Sequence, residues 1–186
     1  MTRETARRSG RLAGWDYAGD GAYFVTICTH AREVLFGEIV DGVANMNAFG
    51  DVAKACWMSL PSHFPHVEID AFVVMPNHVH GILMFHRAAE SGSRDVGARH
   101  ALPLRQAPAG FGKPQAGSLG TVIGAFKSAT ARHINMLRDV EGGPVWQRSY
   151  YDHIIRDERD LNHCRQYIIT NPARHEERRH HTNGIT

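Results

Sequence analysis

The chain has 186 residues, 42% of them hydrophobic and 22% charged, with a formal net charge of only +2. That length suits one ordinary core, and the composition is that of a globular protein rather than a disordered, collagen-like or disulfide-stapled one. No apolar run approaches the ~20 residues of a membrane span and Met1-Thr2-Arg3-Glu4 is no hydrophobic signal core, so a single cytoplasmic domain without membrane contact is expected.

Residues 1–20 read as a basic arm, with Arg3, Arg7, Arg8 and Arg11 against Glu4. Tyr23 to Thr29 is rich in β-branched and aromatic residues and predicts a strand. Leu35 to Val40 reads as a short partner strand, followed by the turn signal Asp41-Gly42. From about Asn45 to Leu60, Val52, Ala53, Cys56 and Trp57 fall at helical spacing, and Pro61 is expected to close that helix. Val67 to Met75 is apolar on both faces, as a central strand would be, and His78 to Phe85 reads as its hairpin partner. Residues 87–118 carry Gly, Ser, Pro and Arg without periodicity and are expected to form a long insertion. Leu119 to Leu137 returns to helical spacing, and Tyr150 to Ile155 reads as a strand. A helix is predicted from about Asp157 to Asn171, its first turn acidic and its end set by Pro172. Residues 173–186 then read as a basic tail. The element order predicts an α+β fold: an antiparallel sheet with helices on one side. Cys28, Cys56 and Cys164 are far apart in the chain and are expected to be buried, reduced thiols.

Met75-Pro76-Asn77-His78-Val79-His80-Gly81 is the first stretch that points to chemistry. In a strand, His78 and His80 point to one face and Val79 to the other. Pro76-Asn77 supplies the turn before them. Two imidazoles on one face of a buried strand make half of a metal site; the ordinary alternative is a hydrogen-bonded pair. In the last helix, Leu161, Cys164 and Ile168 form an apolar stripe, with Asp160, His163, Tyr167 and Asn171 in a column beside it. Tyr167 and Asn171, four apart, lie one turn from each other.

Four segments occur in order: Val74-Met75-Pro76-Asn77-His78-Val79-His80-Gly81-Ile82, Trp146-Gln147-Arg148-Ser149-Tyr150, His153-Ile154-Ile155-Arg156 and Tyr167-Ile168-Ile169-Thr170-Asn171-Pro172. The set resembles the single-tyrosine transposases with a His-hydrophobic-His motif, and within them the REP-associated tyrosine transposases. The resemblance spans about Tyr23 to His175, interrupted by the 87–118 insertion. It implies a ferredoxin-like α+β fold with the histidine pair on a central strand. It further implies that His78 and His80 hold a divalent metal, Mg²⁺ or Mn²⁺, that Tyr167 is the nucleophile, and that Asn171 is a further metal ligand.

The implied chemistry is consistent with these residue types. An unperturbed tyrosine hydroxyl has a pKa of about 10 and needs a cation or base to become a nucleophile. A divalent ion on two imidazoles keeps positions open for substrate, and imidazole favours Mn²⁺ over Mg²⁺. Attack by Tyr167 would leave a 5′-phosphotyrosine and a free 3′-OH, so no nucleotide cofactor is needed for rejoining. The implied substrate is single-stranded or hairpin DNA, with Lys127, Arg132, Arg148 and Arg156 as candidate phosphate contacts and Trp146 and Tyr150 as candidate base-stacking residues. His153 reads either as a base near the site or as an ordinary strand histidine. Two other readings stay open: a hairpin-DNA-binding descendant without cleavage, and an unrelated metallohydrolase that adds a carboxylate such as Asp152 to the histidine pair. Monomer and homodimer are equally compatible with the sequence.

Overall fold

A computed structural model describes residues 15–86 and 116–183, with side chains as far as residue 177. The basic arm as far as residue 14, the 87–118 insertion except for its last three residues, and the basic side chains beyond residue 177 lie outside the described residues. The elements are β1 (Gly21–Cys28), β2 (Gly37–Val40), β3 (Val43–Met46), α1 (Ala48–Met58), α2 (Leu60–His63), β4 (Val67–Met75), β5 (His78–Phe85), α3 (Leu119–Leu137), β6 (Tyr151–Ile155) and α4 (Glu158–Asn183).

Four strands form one sheet in the order β4-β5-β1-β6, every neighbouring pair antiparallel. Leaving aside the separate β2–β3 hairpin and the short α2, the path β1-α1-β4-β5-α3-β6 is the ferredoxin-like βαββαβ arrangement. The fold is therefore α+β as expected, with His78 and His80 on β5, one of the two central strands.

Strand alternation divides the sheet into two unlike faces. Tyr23, Val25 and Ile27 of β1 and Val79, Leu83 and Phe85 of β5 join Trp57 of α1 and Ile123, Phe126 and Ile134 of α3 in the larger core. Ala22 and Phe24 of β1, Ile82 of β5 and Ile155 of β6 face the other way, where Cys164 and Ile168 of α4 cover them. The expectation of helices on one side is thus corrected. Both faces of the central strands are apolar, so each needs a cover, and α4 supplies the second.

Local chemistry accounts for the other departures. Leu35 to Val40 does not join the main sheet: β2 pairs only with β3, across Asp41 and Gly42, whose φ of 51° and 71° suit a tight hairpin turn. β3 occupies residues expected to open the helix. α1 starts instead at Ala48, because the Asn47 side-chain oxygen accepts from the Phe49 and Gly50 N–H groups, both at 3.0 Å. Pro61 does not end a helix but sits in the first turn of α2, where a missing N–H costs nothing. Pro172 likewise fails to end α4, which continues to Asn183. Beyond the proline the helix lies against the hairpin: the Gly42 N–H donates to Glu176 Oε2 at 2.5 Å, and Ala173 packs beneath Gly42. These contacts offset the backbone bond that Pro172 removes. The three cysteines are free and buried. Among the described residues no helix is long and apolar enough to cross a membrane.

Candidate active site

The connection between β4 and β5 is fixed before the histidines begin. The Pro76 carbonyl accepts from the N–H groups of Leu35 and Phe36 at 2.8 and 2.9 Å, and the Asn77 carbonyl accepts from the Thr29 N–H at 3.0 Å and its hydroxyl at 2.9 Å. β5 therefore starts in a set register, and alternation sends His78 and His80 to the α4 face.

There the two imidazoles meet edge to edge, with their Nε2 atoms 3.0 Å apart. Both Nδ1 atoms are engaged elsewhere: His78 Nδ1 lies 2.6 Å from Asn77 Oδ1, and His80 Nδ1 lies 2.9 Å from Thr26 Oγ1. An amide oxygen only accepts, so His78 carries its proton on Nδ1 and, when neutral, leaves Nε2 as a bare lone pair. The Thr26 hydroxyl can donate or accept, so His80 either donates Nε2–H to His78 or, with its proton on Nδ1, offers a second lone pair for a cation between the two nitrogens. Adjacent ligands at right angles around an ion with bonds of about 2.1 Å stand about 3.0 Å apart, so the pair fits a divalent metal. Burial and the neighbouring His78 hold His80 far below the ordinary histidine value of 6.5, at about 3. His80 is thus neutral at physiological pH.

Tyr167 reaches this pair from α4. Its ring centroid lies 5.2 Å from that of His80 and 5.8 Å from that of Phe24, while Phe24 itself stacks on His80 at 5.3 Å. Asn171 follows one helical turn later on the same flank and is buried, at 3% exposure. The rotation of α4 is set by Asp157, which accepts from the Asp160 N–H at 2.8 Å, and by Arg165, whose Nε donates to Asp70 of β4 at 2.8 Å while its Nη2 meets the other carboxylate oxygen. The fold thus brings His78, His80 and Tyr167 onto one face from elements some ninety residues apart.

The other candidates fall elsewhere. Lys127 gives its ammonium protons to the carbonyls of Gln147, Arg148 and Ser149 at 2.7, 3.2 and 3.1 Å, and burial lowers its pKa to about 8. It clasps the 147–149 turn rather than standing free. Trp146 packs between Phe36 and Phe126, and both it and Tyr150 lie against the larger core, across the sheet from the histidines. Arg132 and Arg148 are exposed, while Arg156 is exposed at the entry to α4. Asp152 pairs opposite Val25 and so points to the face away from His78 and His80, which removes the carboxylate that the metallohydrolase reading needs. His153 pairs with Asp160, at 3.0 and 2.9 Å to its two oxygens. Thr26 and Phe24 were missed by sequence reasoning. Their roles depend on the β1–β5 register, which sets Thr26 opposite His80, and no spacing within β1 reveals it.

No family model matches the chain. An uncharacterised Haemophilus influenzae protein is 38% identical over 169 residues, 89% of this chain and 88% of that protein. A second H. influenzae protein, described as a "putative REP-associated tyrosine transposase", is 24% identical over 160 residues, 86% of this chain and 74% of its own length. The solved structure of a REP-associated tyrosine transposase bound to a REP hairpin matches with a TM-score of 0.54 at 18% identity, covering 94% of this chain and 74% of that one. The chain is thus similar in sequence to a putative REP-associated tyrosine transposase and shares its fold with a REP-associated tyrosine transposase of known structure.

Proposed function

We propose that the protein is a metal-dependent single-strand DNA endonuclease and strand transferase that acts on hairpin-forming DNA, with Tyr167 as nucleophile. The observation that carries this reading is the Tyr167 ring 5.2 Å from the His80 ring, on the face where the two Nε2 atoms converge. His78 and His80, with the Asn171 amide oxygen as third ligand, would hold a divalent ion, Mg²⁺ or Mn²⁺, which would supply Lewis acidity toward the scissile phosphate.

The chain's own residues do the rest. Asn77 and Thr26 hold the imidazoles by their Nδ1 atoms, which orients both Nε2 atoms toward each other, and Thr26 can accept the Nδ1 proton of His80 when its Nε2 is needed as a ligand. Phe24 keeps His80 and Tyr167 in fixed relation by contact with both rings. The Tyr167 oxygen forms a bond to phosphorus as the bond from phosphorus to the 3′ oxygen breaks. The tyrosine proton is lost, and the departing oxygen ends as a 3′-OH. Because the new phosphotyrosine keeps the phosphodiester energy, the reverse attack by a 3′-OH rejoins strands without a nucleotide cofactor. A hairpin substrate is supported by the relative captured on a REP hairpin. Arg156 is exposed where α4, the helix that carries Tyr167, begins, and is a candidate contact for the DNA backbone.

The test is incubation with labelled single-stranded hairpin DNA and Mn²⁺, followed by a denaturing gel. A covalent protein–DNA adduct is expected from the wild type and none from Tyr167→Phe. Tight binding with no adduct from the wild type would instead assign the chain to the hairpin-binding descendants that have lost cleavage.

A further inference from the structure

We propose that His153, Asp160 and Cys164 form a second metal site, separate from the His78–His80 pair, which takes a Zn²⁺-class ion and clamps the first turns of α4 to β6. The three ligand atoms lie within 4.8 Å of one another, and this is the group of three among the described residues that could hold an ion. His153 comes from the edge strand of the sheet, and Asp160 and Cys164 from one flank of α4, four residues apart. The His153 Nε2 already lies 3.0 and 2.9 Å from the two Asp160 oxygens.

The donor set selects the ion. One imidazole, one carboxylate and one thiolate with a fourth position open is a zinc-type environment, whereas Mg²⁺ and Ca²⁺ avoid sulfur. A tetrahedral ion with such ligands needs their atoms about 3.3–3.7 Å apart, so side-chain shifts of about an ångström complete the site. Access is one-sided. The His153 and Asp160 side chains are 40% and 26% exposed, while Cys164 is buried in the apolar cluster beneath α4. Without an ion this thiol is inert: burial, with Asp160 beside it, pushes its pKa up to about 11. Binding replaces the His153–Asp160 hydrogen bond. Nε2 gives its lone pair to the ion with the ring proton on Nδ1, and the Cys164 S–H proton leaves to solvent, one proton released per ion when His153 is neutral. The Asp160 oxygen that accepts from the Arg156 N–H at 3.2 Å can keep that bond while its partner oxygen turns to the metal. The competing account is a plain His153–Asp160 ion pair over a packing cysteine.

The site is tested on the untagged full chain carrying His78→Ala and His80→Ala, which also separates it from the proposed catalytic metal. The protein is stripped with chelator, reloaded with Zn²⁺ or Co²⁺, desalted and assayed for bound metal. One ion per chain is expected, with a thiolate-to-Co²⁺ charge-transfer band, and Zn²⁺ should raise the urea midpoint. Adding Cys164→Ser should abolish the band, and Cys164→Ser or Asp160→Asn should weaken retention by about tenfold or more. Circular dichroism of the metal-free variants confirms that they remain folded. Retention of no ion, or of an ion indifferent to both substitutions, overturns the proposal and leaves the ion pair as the account.

Discussion

At the scale of single residues, the His-x-His-Gly run is shaped from both sides of the sheet. The histidines face α4, and Gly81 faces the opposite way, toward α1. A Cβ at Gly81 would stand 2.3 Å from Trp57 Cζ2, so the glycine makes room for a buried indole packed against β5. Gly81→Ala must displace Trp57 and is expected to cost about 1–3 kcal/mol, read as a lowered urea midpoint; an unchanged midpoint would contradict that packing. His80 makes a second prediction. Its folded pKa of about 3 lies below the unfolded 6.5, so between those values the unfolded chain binds more protons. Stability from this residue is complete above about pH 6.5 and is lost as the pH falls toward 3, with a slope of up to about 1.4 kcal/mol per pH unit. In metal-free buffer the urea midpoint of the wild type should therefore fall more steeply from pH 7 to 4 than that of His80→Gln. Parallel curves would show that His80 titrates normally. Spacing places the histidines on a strand face and Tyr167 on a helix flank, but it was the resemblance carried by four ordered segments that singled them out together. Thr26, Phe24 and the convergence of His153 with Cys164 were not legible in the sequence, since each depends on pairing between segments distant in the chain.

At the scale of elements, legibility followed how completely an element's own pattern decides its state. β5 and α3 lie where their apolar patterns predict, because each buries a continuous set of side chains. β4 has the expected span and the Pro76-Asn77 turn joins it to β5, but it is an edge strand with mostly half-buried residues, not the central strand its apolar pattern suggested. β3 left little signal: four residues, alternately exposed and half-buried, held by β2 and neighbouring elements rather than by a core of its own. The prolines misled in the opposite direction. Pro61 and Pro172 each suggest a helix end, yet the first sits where no N–H is required and the second is held by packing against the hairpin. The start of α1 carries a direct test. Asn47 caps two N–H groups and its Nδ2 also donates to the Leu35 carbonyl at 3.0 Å, tying the helix to the segment before β2. Asn47→Ala should cost about 1–2 kcal/mol, the upper part of the range for a cap, because it also releases that carbonyl. A thermal melt shows it as a lower midpoint, and a loss near zero would mean that water replaces both interactions.

At the scale of the whole molecule, the sheet separates stability from the proposed chemistry. One face carries the large core built with α1 and α3, while the other carries the histidines under a single helix attached through a much smaller cluster. Ile169 of α4 is exposed, and the hold on the sheet falls to Cys164, Ile168, the partly buried Leu161 and Tyr167, and the Arg165–Asp70 and His153–Asp160 pairs, with the Gly42–Glu176 bond tying its later turns to the hairpin. A helix attached by so few contacts should open without the rest of the domain, and this one carries the proposed nucleophile. Hydrogen exchange resolves the two cases. Amides of α4 should exchange faster than those of β1 and β5 in the wild type. Ile168→Ala removes the largest apolar anchor, and should speed exchange along α4 while leaving β1 and β5 at their original rates. If the substitution accelerates all three together, α4 opens only when the domain unfolds, and the tyrosine is presented by a rigid body. If α4 responds alone, the position of Tyr167 over His80 is an equilibrium between docked and undocked helix, and anything that binds across both, DNA included, will shift that equilibrium toward docking.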